Sequence, residues 1–148
     1  MKKEKKVSSI FVDGAIPAEK IADDIQKHAG NRDIGAHSIF LGQVRADEKE
    51  GALVTAIDYT AYEAMALEKM METREVFFAK YDLTCMHVYH SLGTVAAGEI
   101  CLFVFVSSKH RKAAMEACEE LVEVIKKELP VWGKEIYNKQ VSAWKENK

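Results

Sequence analysis

The run from Ile100 to Val106, Ile-Cys-Leu-Phe-Val-Phe-Val, is apolar at every position. A strand with one face in water alternates polar and apolar residues, so an unbroken run this rich in β-branched and aromatic side chains must be covered on both faces. That demand predicts a central strand, or one buried on both faces. The segment that follows supplies one cover. Ala114, Ala117, Cys118, Leu121, Val124 and Ile125 recur at helical spacing in a helix that begins near Ser108. Pro130 stops it, because proline lacks an amide hydrogen and restricts the residue before it. Glu63 to Tyr81 has the same period, with Ala66, Met70, Phe77 and Tyr81 in one row and Leu67, Met71 and Phe78 beside it. This is a second amphipathic helix.

The rest of the chain fills in around these three pieces. Ser9 to Asp13 reads as a short strand closed by Gly14, and Pro17 opens a helix whose stripe is Ile21, Ile25 and His28/Ala29. Gly35 to Val44, Val54 to Tyr62 and Leu83 to His90 read as strands, with Gly93 and Gly98 punctuating a hairpin-like connection. Ala46 to Gly51 is polar enough to be a surface loop, and the tail past Pro130, holding Trp132 and Trp144, receives no element. Strands and helices mix without regular βαβ spacing, so the expected class is α+β, a mixed or antiparallel sheet packed with helices. A length of 148 residues predicts one domain over 1–148, with a charged leader of about residues 1–7.

Lys plus Arg total 21 against 23 for Asp plus Glu, a net charge of −2. Nothing global therefore predicts a nucleic-acid or membrane partner, and any anion site must be a local concentration of positive charge. Cys85, Cys101 and Cys118 are odd in number, far apart and set in apolar runs, which predicts buried free thiols. No Cys/His spacing resembles a structural zinc site, and His37, His87 and His90 read as structural or surface groups, so no metal is expected. Met1 to Lys6 is basic, but the following VSSIFVDGAIP is too short and interrupted for a signal peptide. With no stretch long enough to span a membrane, a cytoplasmic location is expected.

Three basic places stand out. Ser107-Ser108-Lys109-His110-Arg111 lies where a buried strand hands over to a helix, whose free amides and dipole favour an anion. Cations there oppose the dipole by roughly 0.3–1 kcal/mol each when exposed, so the cluster is either a solvated basic turn or an anion site. Lys126-Lys127 lies near the end of the same helix, with Trp132-Gly133-Lys134-Glu135 just past Pro130. These lysines either cap the helix or converge with Lys134 where the chain turns back; amines held together or desolvated lose protons more readily and serve as nucleophiles or proton carriers. Arg45, just after Gly42, offers a rigid fork for phosphate or carboxylate, against the plainer reading of a lone surface arginine.

At these places the sequence resembles the large subunit of molybdopterin synthase. The matching pieces are Phe40-Leu41-Gly42-Gln43-Val44-Arg45, Tyr59-Thr60-Ala61-Tyr62-Glu63-Ala64-Met65-Ala66 and His90-Ser91-Leu92-Gly93. They continue with Ser107-Ser108-Lys109-His110-Arg111 and Ile125-Lys126-Lys127-Glu128-Leu129-Pro130-Val131-Trp132, in order from about Ile10 to Trp144. The resemblance implies an α/β-hammerhead fold and a central homodimer. Each large subunit would bind one ubiquitin-like small subunit, giving a heterotetramer. It also implies that the small partner's Gly-Gly tail, ending in a thiocarboxylate, delivers sulfur to cyclic pyranopterin monophosphate and so forms the molybdopterin dithiolene. No cofactor is implied. Arg45, His110 and Arg111 would surround the substrate, and Lys126 would stand at the thiocarboxylate. There it would stabilise the tetrahedral intermediate, move protons, or bond transiently to the terminal carbonyl.

The chain departs from the family pattern where a second catalytic lysine follows the tryptophan: that position is Gly133. Either the freedom of Gly133 lets Lys134 take over as a catalytic lysine, or the protein is a noncatalytic or specialised member that binds tail or pterin. Ser91 and Thr60 also stand where Arg and Glu are usual.

Overall fold

The structure, a computed structural model, describes residues 10–138; the charged leader, Ser9 and Trp144 lie outside them. Ten elements follow one another: β1 (Phe11–Asp13), α1 (Ala18–Lys27), β2 (Ala36–Gln43), β3 (Glu48–Lys49), β4 (Ala52–Ala61), α2 (Glu63–Lys80), β5 (Cys85–Ala96), β6 (Ile100–Ser108), α3 (Arg111–Glu128) and β7 (Val131–Tyr137). The sheet order is β2-β6-β5-β4-β3, with β1 added to β5 and β7 to β4. Every pairing is antiparallel except β1 with β5. The expected α+β class with a hammerhead-like sheet and packed helices is what forms.

The apolar run does become a central strand. Leu102, Val104 and Val106 of β6 join Met86 and Val88 of β5 in a core closed by Ala66, Met70 and Phe77 of α2 and Ala117, Leu121 and Ile125 of α3. On the opposite face Phe103 and Phe105 pack with Ile16, Ile21 and Tyr89 beneath α1. A third cluster, Val44, Val95 and Cys101 with Ile57 and Tyr59, fills the junction toward β4. Thr73 belongs to the buried row of α2 and satisfies its hydroxyl by donating to the Lys69 carbonyl at 2.8 Å, whereas Met71 is exposed.

Three expectations need correction. The polar stretch 46–51 is not all loop: Glu50 (φ 53°) and Gly51 (φ 82°) make a two-residue turn that folds β3 back on β4. Positive φ at both central positions matches the twist of a hairpin. Gly93 (φ 85°) does not end its strand. β5 pairs with β6 up to His90 and with β4 from Gly93 onward, so the glycine is the corner at which one strand changes partner, and Gly98 (φ 93°) makes the turn. The tail past Pro130 is a strand, β7, laid along β4 from Val54 to Ala61. Leu129 is extended (φ −76°, ψ 130°), as a residue before proline prefers, so the chain leaves α3 already in strand conformation.

Candidate active site

The hand-over from β6 to α3 is built as the sequence implied. Ser107 and Ser108 are wholly buried at the end of the strand. Ser107 Oγ meets His37 Nδ1 at 2.7 Å, and Ser108 Oγ donates to the His110 carbonyl. His110 is the extended N-cap residue (φ −121°, ψ 145°) and makes no side-chain cap, and the first turn of α3 carries no acidic residue. The first amides of the helix therefore face outward beside Arg111 and Lys112, Lys112 being paired with Glu116 at 3.1 Å. His110, Arg111, Lys112, Met115 and Glu116 line an open depression of about 530 Å³. Its shape and charge suit an anion.

Lys126 lies at the other end of α3. Its side chain is exposed, and among the described residues it has no ion-pair partner, whereas nearby Lys69 and Glu128 pair at 2.7 Å. It sits close to His90, a buried imidazole whose Nδ1–H donates to the Ser91 carbonyl at 2.8 Å. Burial lowers the basicity of His90, the hydrogen bond to the Ser91 carbonyl offsets part of that, and the Lys126 charge lowers it further. His90 stands edge-on to the Tyr59 ring at 5.1 Å. Burial, then a hydrogen bond with Cys101, pushes the Tyr59 phenol up, so it stays protonated. A neutral imidazole and a neutral phenol thus back an unpaired ammonium.

Arg45 follows the irregularity at Gly42/Gln43, where a Cβ on Gly42 would approach Leu102 Cβ to 3.2 Å; close strand packing is what the glycine serves. The Arg45 side chain is 81% exposed and pairs with Asp47 at 3.1 Å. Strand register tells which end of the sheet it occupies. Gln43 lies opposite Ile100 while Ala36 lies opposite Ser108, and His90 lies opposite Leu102. Arg45, His90 and Lys126 therefore share one end, and His110 with Arg111 occupies the other. Fifteen residues of one helix, at 1.5 Å rise each, separate Arg111 from Lys126 by about 22 Å. One chain does not bring them together.

Gly133 connects to the Lys126 end through Tyr59. It pairs with Tyr59, and a Cβ there would come within 2.8 Å of Ile57 Cγ2 and 3.0 Å of Tyr59 Cε1. Lys134 pairs with Asp58 in unbroken register, so strand alternation sends its side chain to the opposite face of β7 from Gly133. The freedom expected of Gly133 is not used: the residue lies in regular strand, and Lys134 is not delivered to its neighbour's position. Ser91 is fully buried with its hydroxyl unpaired, so an arginine there requires different local packing; Thr60 is exposed opposite Trp132. Nothing in the structure explains the change at Thr60.

All three cysteines are free thiols, Cys101 and Cys118 buried and Cys85 half-buried. A group absent from the sequence reading is His28, Cys85 and His87, whose ligand-type atoms lie within 4.8 Å of one another. Its local half was legible, since Cys85 and His87 are two apart on a strand and share a face. Its other half depends on where α1 docks. Among the described residues no helix is long and apolar enough to cross a membrane.

Comparison with known proteins places the chain in a family and a fold. Residues 15–128 match the family described as MoaE protein. The chain is 39% identical over 128 residues to molybdopterin synthase catalytic subunit 1 of Aedes aegypti, covering 84% of this chain and 82% of that one. It is 38% identical over 128 residues to the molybdopterin synthase catalytic subunit of Culex quinquefasciatus, covering 84% and 81%. Among solved structures, molybdopterin synthase from Staphylococcus aureus superposes with a TM-score of 0.77 at 31% identity, covering 88% of this chain and 91% of that one. A chain in the complex of subunits 1 and 2 of molybdopterin-converting factor from Helicobacter pylori 26695 shares the fold, with a TM-score of 0.73 at 24% identity.

Proposed function

The chain belongs to the molybdopterin synthase catalytic-subunit family, and on that premise we propose that it transfers sulfur from a thiocarboxylated protein tail to cyclic pyranopterin monophosphate. The donor is a ubiquitin-like small subunit ending in Gly-Gly, and the product is the molybdopterin dithiolene. One observation carries the reading: Lys126 holds an ammonium without a carboxylate partner among the described residues, backed by the buried imidazole of His90 and the half-buried, protonated phenol of Tyr59. Once the tail's sulfur has bonded to the pterin, water adds to the terminal carbonyl. The cation meets the negative charge on the carbonyl oxygen of that tetrahedral intermediate, and it can pass a proton as the intermediate collapses to free the sulfur and leave the tail as a carboxylate. Arg45, His110 and Arg111 hold the phosphate and pterin. Since α3 keeps His110 and Arg111 about 22 Å from Lys126, each complete pocket takes these two residues from a second copy of the chain in a homodimer.

Reconstitution tests this directly. Purified chain, thiocarboxylated small subunit and cyclic pyranopterin monophosphate should yield the dithiolene product. Lys126→Ala should lower turnover by roughly 10²–10⁴-fold, the usual worth of a positioned proton-transfer group, with folding and partner binding intact. Turnover close to wild type would remove Lys126 from the mechanism. A second reading, a member that binds tail or pterin without completing transfer, is favoured by Gly133; tight binding with no product from the wild-type chain would select it.

A further inference from the structure

On the sheet face away from α2 and α3, the C-terminal end of α1 rests against β5. His28 Nε2 faces His87 Nε2 at 3.3 Å, and Cys85 Sγ completes a triangle whose sides are all within 4.8 Å. We propose that His28, Cys85 and His87 form a binding site for a single divalent cation of the zinc class, tying α1 to the sheet.

The two histidine nitrogens have the spacing of a coordination shell, and the cysteine sulfur lies within 4.8 Å of both. Two nitrogens bound at about 2.05 Å in a tetrahedron lie roughly 3.3 Å apart, and a nitrogen and a thiolate sulfur roughly 3.6 Å apart. The two histidine nitrogens already have that separation. Tautomer is also arranged. His28 Nδ1 is 2.7 Å from the Asp24 carbonyl oxygen, which only accepts, so Nδ1 carries the hydrogen and Nε2 presents its lone pair. A ring N–H anchored on a backbone carbonyl is the usual outer support of a metal-bound histidine. Burial, then the neighbouring His28 ring, which resists a second proton between the two, lowers His87 to about 4, so it is neutral at pH 7, as a ligand must be. Asp24 adds negative charge nearby: the residue is 4% exposed and its Oδ2 has no hydrogen-bond partner. Lys20, 3.9 Å from Asp24 Oδ1, and Arg74 act on His87 in the opposite sense, which favours an affinity below that of a four-ligand structural site.

Without metal, the His87 Nε2–H donates to His28 Nε2. On binding, that hydrogen shifts to His87 Nδ1 through solvent, the Cys85 thiol releases its proton to solvent, and water takes the fourth position. The consequence falls on α1, where Asp24 is the sole buried residue and the cluster beneath has three buried members. A bridge from His28 to β5 adds a tether where packing is thin.

Cobalt(II) titration of the tag-free full chain, followed by absorption, tests the site. One equivalent should give tetrahedral d–d bands with a thiolate-to-metal charge-transfer band, all abolished by zinc, and zinc should raise the melting temperature by several degrees. Cys85→Ser should lose the charge-transfer band, and His28→Gln should weaken affinity at least tenfold. Circular dichroism establishes that each variant is folded; if Cys85→Ser does not fold, the affinity of His28→Gln decides. A folded wild-type chain without the thiolate band, a band surviving in Cys85→Ser, or unchanged affinity in His28→Gln overturns the proposal. None of these readouts depends on sulfur transfer.

Discussion

The geometry of α3 yields a test that separates a pocket shared between two chains from one contained in a single chain. Arg111 and Lys126 are the first and sixteenth residues of the same helix, about 22 Å apart along its axis. Catalytic contacts operate at hydrogen-bond distance, about 3 Å, so one small substrate cannot engage both ends of one helix. In a symmetric dimer each pocket then combines Lys126 of one chain with His110 and Arg111 of its partner. Lys126→Ala and Arg111→Ala should each inactivate their own homodimers. In a mixed dimer of the two variants, both lesions fall in one pocket and the other pocket is intact. Purified through two different tags, the mixed dimer should recover about half of wild-type turnover. Both side chains are exposed, so neither substitution removes core packing. A mixed dimer as inactive as its parents, or a chain that is monomeric while active, would refute the shared pocket.

Other outcomes follow from particular contacts. Lys134→Ala should leave turnover within about twofold of wild type, because exposed surface substitutions are close to neutral and its side chain leaves the face of β7 opposite to Gly133; a large loss in the reconstituted assay would restore it to the site. Gly133→Ala should destabilise the fold by about 1–3 kcal/mol in urea denaturation, since its Cβ would meet Ile57 Cγ2 at 2.8 Å. Leu121→Ala, at a fully buried position beneath α3, should cost about 2–5 kcal/mol in the same measurement. His87 is held near 4 when folded and returns to 6.5 when unfolded, so the unfolded chain binds the extra proton between those values. Stability should be full above pH 6.5 and decline toward pH 4 by on the order of 2–3 kcal/mol. With chelator present, His87→Gln should reduce that slope to the part left by His37 and His90, whose basicity burial also lowers, and an unchanged slope would acquit His87.

The central layer was legible because its signals are periodic. The unbroken run in β6 and the helical rows of α2 and α3 each identify the covered face without knowledge of any partner. β7 was not legible: Val-Trp-Gly-Lys-Glu-Ile-Tyr does not alternate, and its conformation depends on pairing with β4, 70 to 83 residues earlier. The basic residues could be picked out, but their convergence in one chain could not survive simple helix arithmetic, which was available from the spacing of Arg111 and Lys126 alone. The His28 group stayed hidden for a different reason. One member comes from α1 and two from β5, and only tertiary docking sets their separation.

The corner at Gly93 has a consequence for how the molecule comes apart. Before it β5 is knitted into β6, and after it only residues 93–96 tie β5 to the ribbon of β4, β3 and β7. Amide protons on that ribbon should accordingly exchange with solvent through openings that leave β6 closed. The protein then has a sturdier sheet and a lighter ribbon, joined by the short β5–β4 pairing and the small cluster of Val44, Val95 and Cys101 beneath it, and Gly133 belongs to the ribbon.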